Sequence, residues 1–258
     1  MRLYQELDKS DLISRLMPLL KSGYLYLNKD TGKLTSDDRL AYETPWVYTN
    51  THTVGMDCRV WRQYLFDKMK GDMGCPPSGC QTCWKVVVRP KNLTMLMELK
   101  DYQKETQLVS KCGIEVREYT PALYGGYFYN RSYQEGLDKL DRVRKDLPEY
   151  NAILKRGCTE MEMSFPNSSS WEVTEQSLHW ENLVSKWLDS EISSGCQNEI
   201  MEAYIVKKWI KYACTNNDDT YLNYTGGELI YPPPVTYERV KENNDGTIST
   251  KQDDQQVS

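Results

Sequence analysis

Trp84-Lys85-Val86-Val87-Val88-Arg89-Pro90-Lys91-Asn92-Leu93 holds the change of period that organises the middle of this chain. The β-branched run favours a strand, Pro90 has no N–H to give to a sheet, and Asn92 is of the type that caps a helix. Leu93, Leu96, Met97, Lys100 and Lys104 then recur at helical spacing, and Cys112-Gly113 is expected to close that helix. Ile114-Glu115-Val116-Arg117 reads as a second strand, Pro121 and Gly125-Gly126 as a turn, and Tyr127-Phe128-Tyr129 as a third strand. Ser132-Tyr133-Gln134-Glu135 has the Ser-x-x-Glu form of a capping box, and Leu137, Leu140, Val143 and Leu147 continue it as an amphipathic helix that Pro148 stops. A last strand falls within Ala152 to Met163.

This order, β-α-β-β-α-β, is the split βαβ pattern, so the expected fold is α+β with a ferredoxin-like core. Working outward, residues 1–57 form an N-terminal segment. In it Leu12, Ile13, Leu16, Leu19 and Leu20 predict a helix broken near Pro18, and Tyr24–Leu27 and Trp46–Tyr48 are β-prone. Residues 58–165 hold a helix at about 58–70, a Cys-rich loop and the core. Residues 166–231 carry two helices, about 174–190 and 198–213, whose Trp and Tyr residues sit at core-packing spacing. From Pro232-Pro233-Pro234 the chain becomes Asn-, Asp- and Gln-rich, and 232–258 reads as an acidic tail, disordered from about 240.

With 39% hydrophobic and 27% charged residues, the composition is that of an ordinary globular protein, and no apolar run is long enough to span a bilayer. The N-terminus carries Glu6 and Asp8 where a secretory signal needs an apolar stretch. A cytoplasmic, reducing location without membrane contact is therefore expected, where clustered thiols serve as metal ligands more often than as disulfides. The net charge of −5 is unevenly spread. Residues 1–54 hold 7 basic and 7 acidic side chains, 55–157 hold 18 and 13, and 158–258 hold 7 and 17. Such a basic middle suits a polyanion.

Cys75, Cys80 and Cys83 place three thiols on a Pro/Gly-bent loop, Cys75-Pro-Pro-Ser-Gly-Cys80-Gln-Thr-Cys83. Thiolates so close repel, and a bound cation relieves the repulsion while ordering the loop. Structural zinc is the expected metal. A tetrahedral site needs a fourth ligand, for which Cys58 and Cys112 rank first, with His52 nearby. The first two strands run parallel, so Cys83 and Cys112 are expected on one rim, whereas Cys158, starting an antiparallel fourth strand, is expected at the far rim. The Cys-x₄-Cys-x₂-Cys order also matches plant-type [2Fe–2S] ferredoxins, so an iron–sulfur cluster is the alternative cofactor. The elements following Cys83 do not match a β-grasp ferredoxin.

Alternation along the strands turns Val86, Val88, Ile114, Val116, Phe128, Met161 and Met163 toward the helices. Lys85, Arg89, Glu115, Arg117, Tyr127, Tyr129, Arg131, Glu160 and Glu162 then lie on the opposite face. Arginines and tyrosines on an open sheet suit phosphate contact and base stacking, so single-stranded nucleic acid is the expected ligand, with a protein partner as the other option. Cross-strand Arg–Glu pairing is the competing use of the same residues. No P-loop, GxSxG or HExxH motif occurs. Glu160 and Glu162, two apart on a strand, are the pair that a metal-dependent enzyme would use.

Overall fold

A computed structural model describes residues 44–50, 76–175 and 197–231, with short pieces at 17–18, 20–22, 25–30, 32–36, 240–242 and 248–250 and single residues at 178, 182 and 186. The strands are β1 (Leu25–Leu27), β2 (Leu34–Ser36), β3 (Trp46–Thr49), β4 (Trp84–Val88), β5 (Ser110–Ile114), β6 (Tyr124–Asn130), β7 (Ile153–Arg156), β8 (Val240–Glu242) and β9 (Ile248–Thr250). The helices are α1 (Ser78–Gln81), α2 (Leu93–Thr106), α3 (Tyr133–Asp146), α4 (Thr159–Ser164) and α5 (Glu199–Thr215).

Five strands form one antiparallel sheet in the order β3-β5-β6-β4-β7. The molecule is therefore mixed α+β. Of the two β-prone pieces in the N-terminal segment, the first supplies β1, which pairs with β2, whereas Trp46-Val47-Tyr48 joins the main sheet beside β5. In the tail expected to be disordered, β8 and β9 pair as a hairpin. The helix expected at 58–70 and most of that at 174–190 lie outside the described residues.

Local signals set α2 and α3. The Asn92 side chain accepts the Met95 N–H at 2.9 Å and starts α2, and Gln107, in the left-handed region at φ 53°, ends it. Ser132 caps α3 by accepting the Glu135 N–H at 3.2 Å, while the Glu135 carboxylate reaches back to the Arg131 N–H at 2.9 Å.

The second strand begins four residues earlier than its apolar pattern predicts, so Cys112 and Gly113 are strand residues and not a helix end. Gly113 has a packing reason: a Cβ there would fall 2.1 Å from the Pro45 carbonyl oxygen, where β3 lies alongside. Val116, past the strand, is 61% exposed rather than facing the helices.

One face of the sheet carries α2, α3 and α5. Leu93, Leu96 and Leu99 of α2, Leu140 and Val143 of α3, and Ile205, Trp209 and Ala213 of α5 form one buried cluster with Val47, Val86, Val88, Cys112, Tyr124 and Phe128. Burial of each large aliphatic side chain contributes on the order of 1.5–3 kcal/mol. The cluster takes residues from Val47 to Tyr221, so it packs across the boundaries expected at 57 and 165. At the β3 edge, Gln197 closes the sheet: its amide donates to the Trp46 carbonyl and its Oε1 accepts the Tyr48 N–H, both at 2.8 Å.

Candidate functional site

The thiol region is built by a short β7. That strand pairs with β4 in the register Trp84↔Arg156, and Gly157, at φ 62°, then turns the chain back. Its N–H donates to the Cys83 carbonyl at 2.7 Å. Cys158 therefore follows the end of β7 and stands at the starting rim of β4, next to Cys83. This reverses the expectation for Cys158, which rested on a strand running on to Met163. Residues 159–164 are instead the helix α4, with Met161 buried and Met163 exposed.

Cys112 is not beside Cys83. It pairs with Gly126, which in turn pairs with Val88 at the opposite end of β4, and its side chain lies in the helix-covered core, where burial pushes the thiol far up. Cys80 is buried on α1 and Cys83 is half-buried. Cys58 and Cys75 lie outside the described residues, as does His52. Among the described residues no three His, Cys, Asp or Glu side chains are drawn together as a metal would require.

Lys85 points into this rim rather than to solvent. It is 7% exposed, and its Nζ donates to Cys158 Sγ at 2.9 Å, with the Tyr129 ring centroid 5.7 Å away. Burial alone pulls a lysine down. Here the sulfurs of Cys158 and Cys83 outweigh it and hold the ammonium well above the ordinary lysine range. Burial pushes the Cys83 thiol up against the pull of Lys85.

Arg156 fastens the same rim. Its guanidinium donates to the carbonyls of Gln81 at 2.6 Å, Ser168 at 2.8 Å and Trp171 at 2.8 Å, and lies 5.6 Å from the Trp84 ring and 5.9 Å from the Trp171 ring.

The face of the sheet opposite α2, α3 and α5 is a paired and largely buried lattice. Tyr127 is 7% exposed, and its hydroxyl accepts from Arg89 at 2.8 Å and Arg117 at 2.6 Å while donating to Glu115 at 2.9 Å. Arg117 also grips the Glu115 carboxylate directly, with Nε 2.6 Å from Oε1. Burial would raise the Glu115 carboxyl, but the Arg117 bonds and charge, with the Tyr127 hydroxyl, bring it below the usual carboxylate range. The platform expected for stacked bases is thus closed at Lys85 and Tyr127. Tyr129 is half-buried and its hydroxyl is held well up by burial. Arg89 keeps 39% of its side chain exposed, and Arg131 is exposed in a groove with Glu135, Asp138, Lys139 and Arg142.

Lys111 is a member of this face that the late strand start conceals. Its Nζ lies 4.2 Å from the Trp46 ring centroid and 5.4 Å from that of Tyr127, and burial together with the charge of Lys85 lowers it to about 8. Alternation beginning at Ser110 rather than at Ile114 would have found it.

Glu160 and Glu162 do not share a site. On α4 two residues apart means opposite sides. Glu160 pairs with Arg117 at 3.5 Å, and Glu162 pairs with Lys155 at 3.1 Å and accepts from Ser168 at 3.0 Å.

No helix among the described residues is long and apolar enough to cross a membrane. Compared with protein-family models, curated proteins and solved structures, the chain finds no match in any of the three.

Proposed function

We propose that this chain is a metal-binding protein in which cysteine thiolates at the starting rim of β4 hold a structural zinc ion, with Cys158 in the place first sought for Cys58 or Cys112. The observation that carries the reading is the buried Lys85 ammonium donating to Cys158 Sγ at 2.9 Å. A desolvated cation needs an anion, and an ammonium beside a sulfur favours the thiolate, the form that ligates metal. A divalent metal with four thiolates is itself an anion, which Lys85 would offset. Cys83 stands beside Cys158 at that rim, and Cys80 and Cys75, on the loop that precedes it, would have to close on the ion to complete the set.

The core around this site reads as ferredoxin-like. Support comes from the chain order β4-α2-β5-β6-α3-β7 and the spatial order β5-β6-β4-β7, with α2 and α3 on one face and β3 and α5 as additions.

Metal analysis of anaerobically purified protein tests the function. Stoichiometric zinc in a colourless protein is expected, lost in Cys158→Ser and kept in Cys112→Ser and Cys214→Ser. Visible absorption with iron would replace zinc by a cluster. Metal-free wild type, or full metal content in Cys158→Ser, would overturn the assignment.

A further inference from the structure

We propose that Lys85 and Cys158 are a redox-switched crosslink, joined by a single oxygen atom as Nζ–O–Sγ when dioxygen oxidises the pair and separated again by thiol reductants. This goes beyond the metal reading and does not rest on it, because it needs one amine and one sulfur.

The geometry is that of a preassembled pair. Nitrogen and sulfur are 2.9 Å apart, close to the span of two single bonds meeting at an oxygen, so neither side chain has to travel. Lys85 sits on β4, which is flanked by β6 and β7, and its stem is fixed among buried neighbours. Cys158 is fixed from the other side by the Gly157 turn and its bond to the Cys83 carbonyl. Lys85 is shielded from water, while Cys158 is half-buried and open to a small oxidant.

The atoms and electrons balance. Ammonium, thiolate and one dioxygen give the neutral Nζ(H)–O–Sγ bridge and one water. An N–H bond is replaced by N–O, an S–O bond forms, and the O–O bond breaks. One oxygen stays in the bridge, and the other leaves with the two remaining protons as water. Nitrogen and sulfur each give up two electrons, and dioxygen takes all four. Two equivalents of a dithiol return four electrons and four protons, restoring amine and thiol and releasing water.

The bridge removes a buried charge pair and ties β4 to the turn after β7. It also withdraws Cys158 from any metal, so metal and bridge should exclude one another.

The test uses the full-length protein as purified, one portion kept anaerobic and one held in air-saturated buffer. The aerobic portion is expected to gain one oxygen and lose two hydrogens in intact mass. Proteolysis should then yield a Lys85 peptide joined to a Cys158 peptide, separated by dithiothreitol. Cys83→Ser should still form it, whereas Cys158→Ser and the charge-keeping Lys85→Arg should not. Oxygen added to Cys158 without a linked peptide, or a loss of two hydrogens with Cys83 joined to Cys158, would overturn the proposal, and the wild-type peptide map decides this even if a variant fails to fold. Native mass spectra separate the two readings. Bridged protein that still carries metal would remove Cys158 from the metal set and leave the bridge standing, whereas metal-bearing protein that never bridges in air would do the reverse.

Discussion

The carboxylate of Asp218 accepts the main-chain N–H of Leu93 at 2.7 Å, across 125 positions of sequence. The N–H groups of a helix's first turn lack partners within the helix, and Asp218 supplies one to α2 while also accepting the Tyr124 hydroxyl at 2.5 Å. The segment after α5 is thereby tied to both the sheet and its covering helix. Asp218→Ala should lower stability by about 1–3 kcal/mol, since it strands the Leu93 N–H and the Tyr124 hydroxyl as well as the N–H and hydroxyl of Thr220. Asp218→Asn, which keeps an acceptor, should lose less. Urea unfolding of both variants checks the order, and equal stability of Asp218→Ala and wild type would refute it.

Glu115 gives a pH dependence of defined sign. Its folded carboxyl lies below the ordinary range, so its contribution is present above the unfolded value of about 4.3 and fades as pH falls through the lower folded one. Glu115→Gln should therefore be less stable than wild type at neutral pH by about 1–3 kcal/mol, with the gap closing below about pH 4. Denaturant midpoints of both proteins across acid pH measure this, and a gap independent of pH would show that the charge is irrelevant.

Arg156 predicts how firmly the thiol rim is held. Arg156→Lys keeps the charge but cannot reach three carbonyls in a planar fork, and should cost about 2–4 kcal/mol by leaving acceptors unpaired. Limited proteolysis should then cut within residues 76–83 sooner than in wild type. Unchanged cleavage would mean that α1 is held by other contacts.

Gly126 separates close packing from backbone freedom. An added Cβ would meet Leu99 Cδ2 at 2.4 Å and Val88 Cγ2 at 2.7 Å, where α2 lies on the sheet. Gly126→Ala should cost about 1–3 kcal/mol through overpacking. Gly226, at φ 68° with nothing near its missing Cβ, should cost only about 1 kcal/mol as alanine. Thermal melts of the two variants test the ranking.

What the sequence conveyed was local. Asn92 and Ser132 act through hydrogen bonds three residues away, so α2 and α3 could be read with their starts in place. Tyr127 and Phe128 alternated as expected, because a strand's period is a local property too. The errors came where contacts are distant or two signals compete. Gly113 looks like a helix stop, yet its need is created by Pro45, just ahead of β3 and far away in sequence. Glu160-Met161-Glu162-Met163 has the alternation of a strand, but Gly157 has already left extended backbone before it. That single turn decides on which rim Cys158 stands, and with it the partner of Lys85.

Gln197 bears on behaviour in crowded solution. By occupying the Trp46 carbonyl and the Tyr48 N–H, one side chain uses up main-chain groups through which another chain could dock as a further strand. Because Gln197 directly precedes α5's capping residue, Asn198, a truncation or cleavage that removes the C-terminal helix would also uncover that edge. Loss of this helix should therefore show itself as filament formation or aggregation as well as reduced stability.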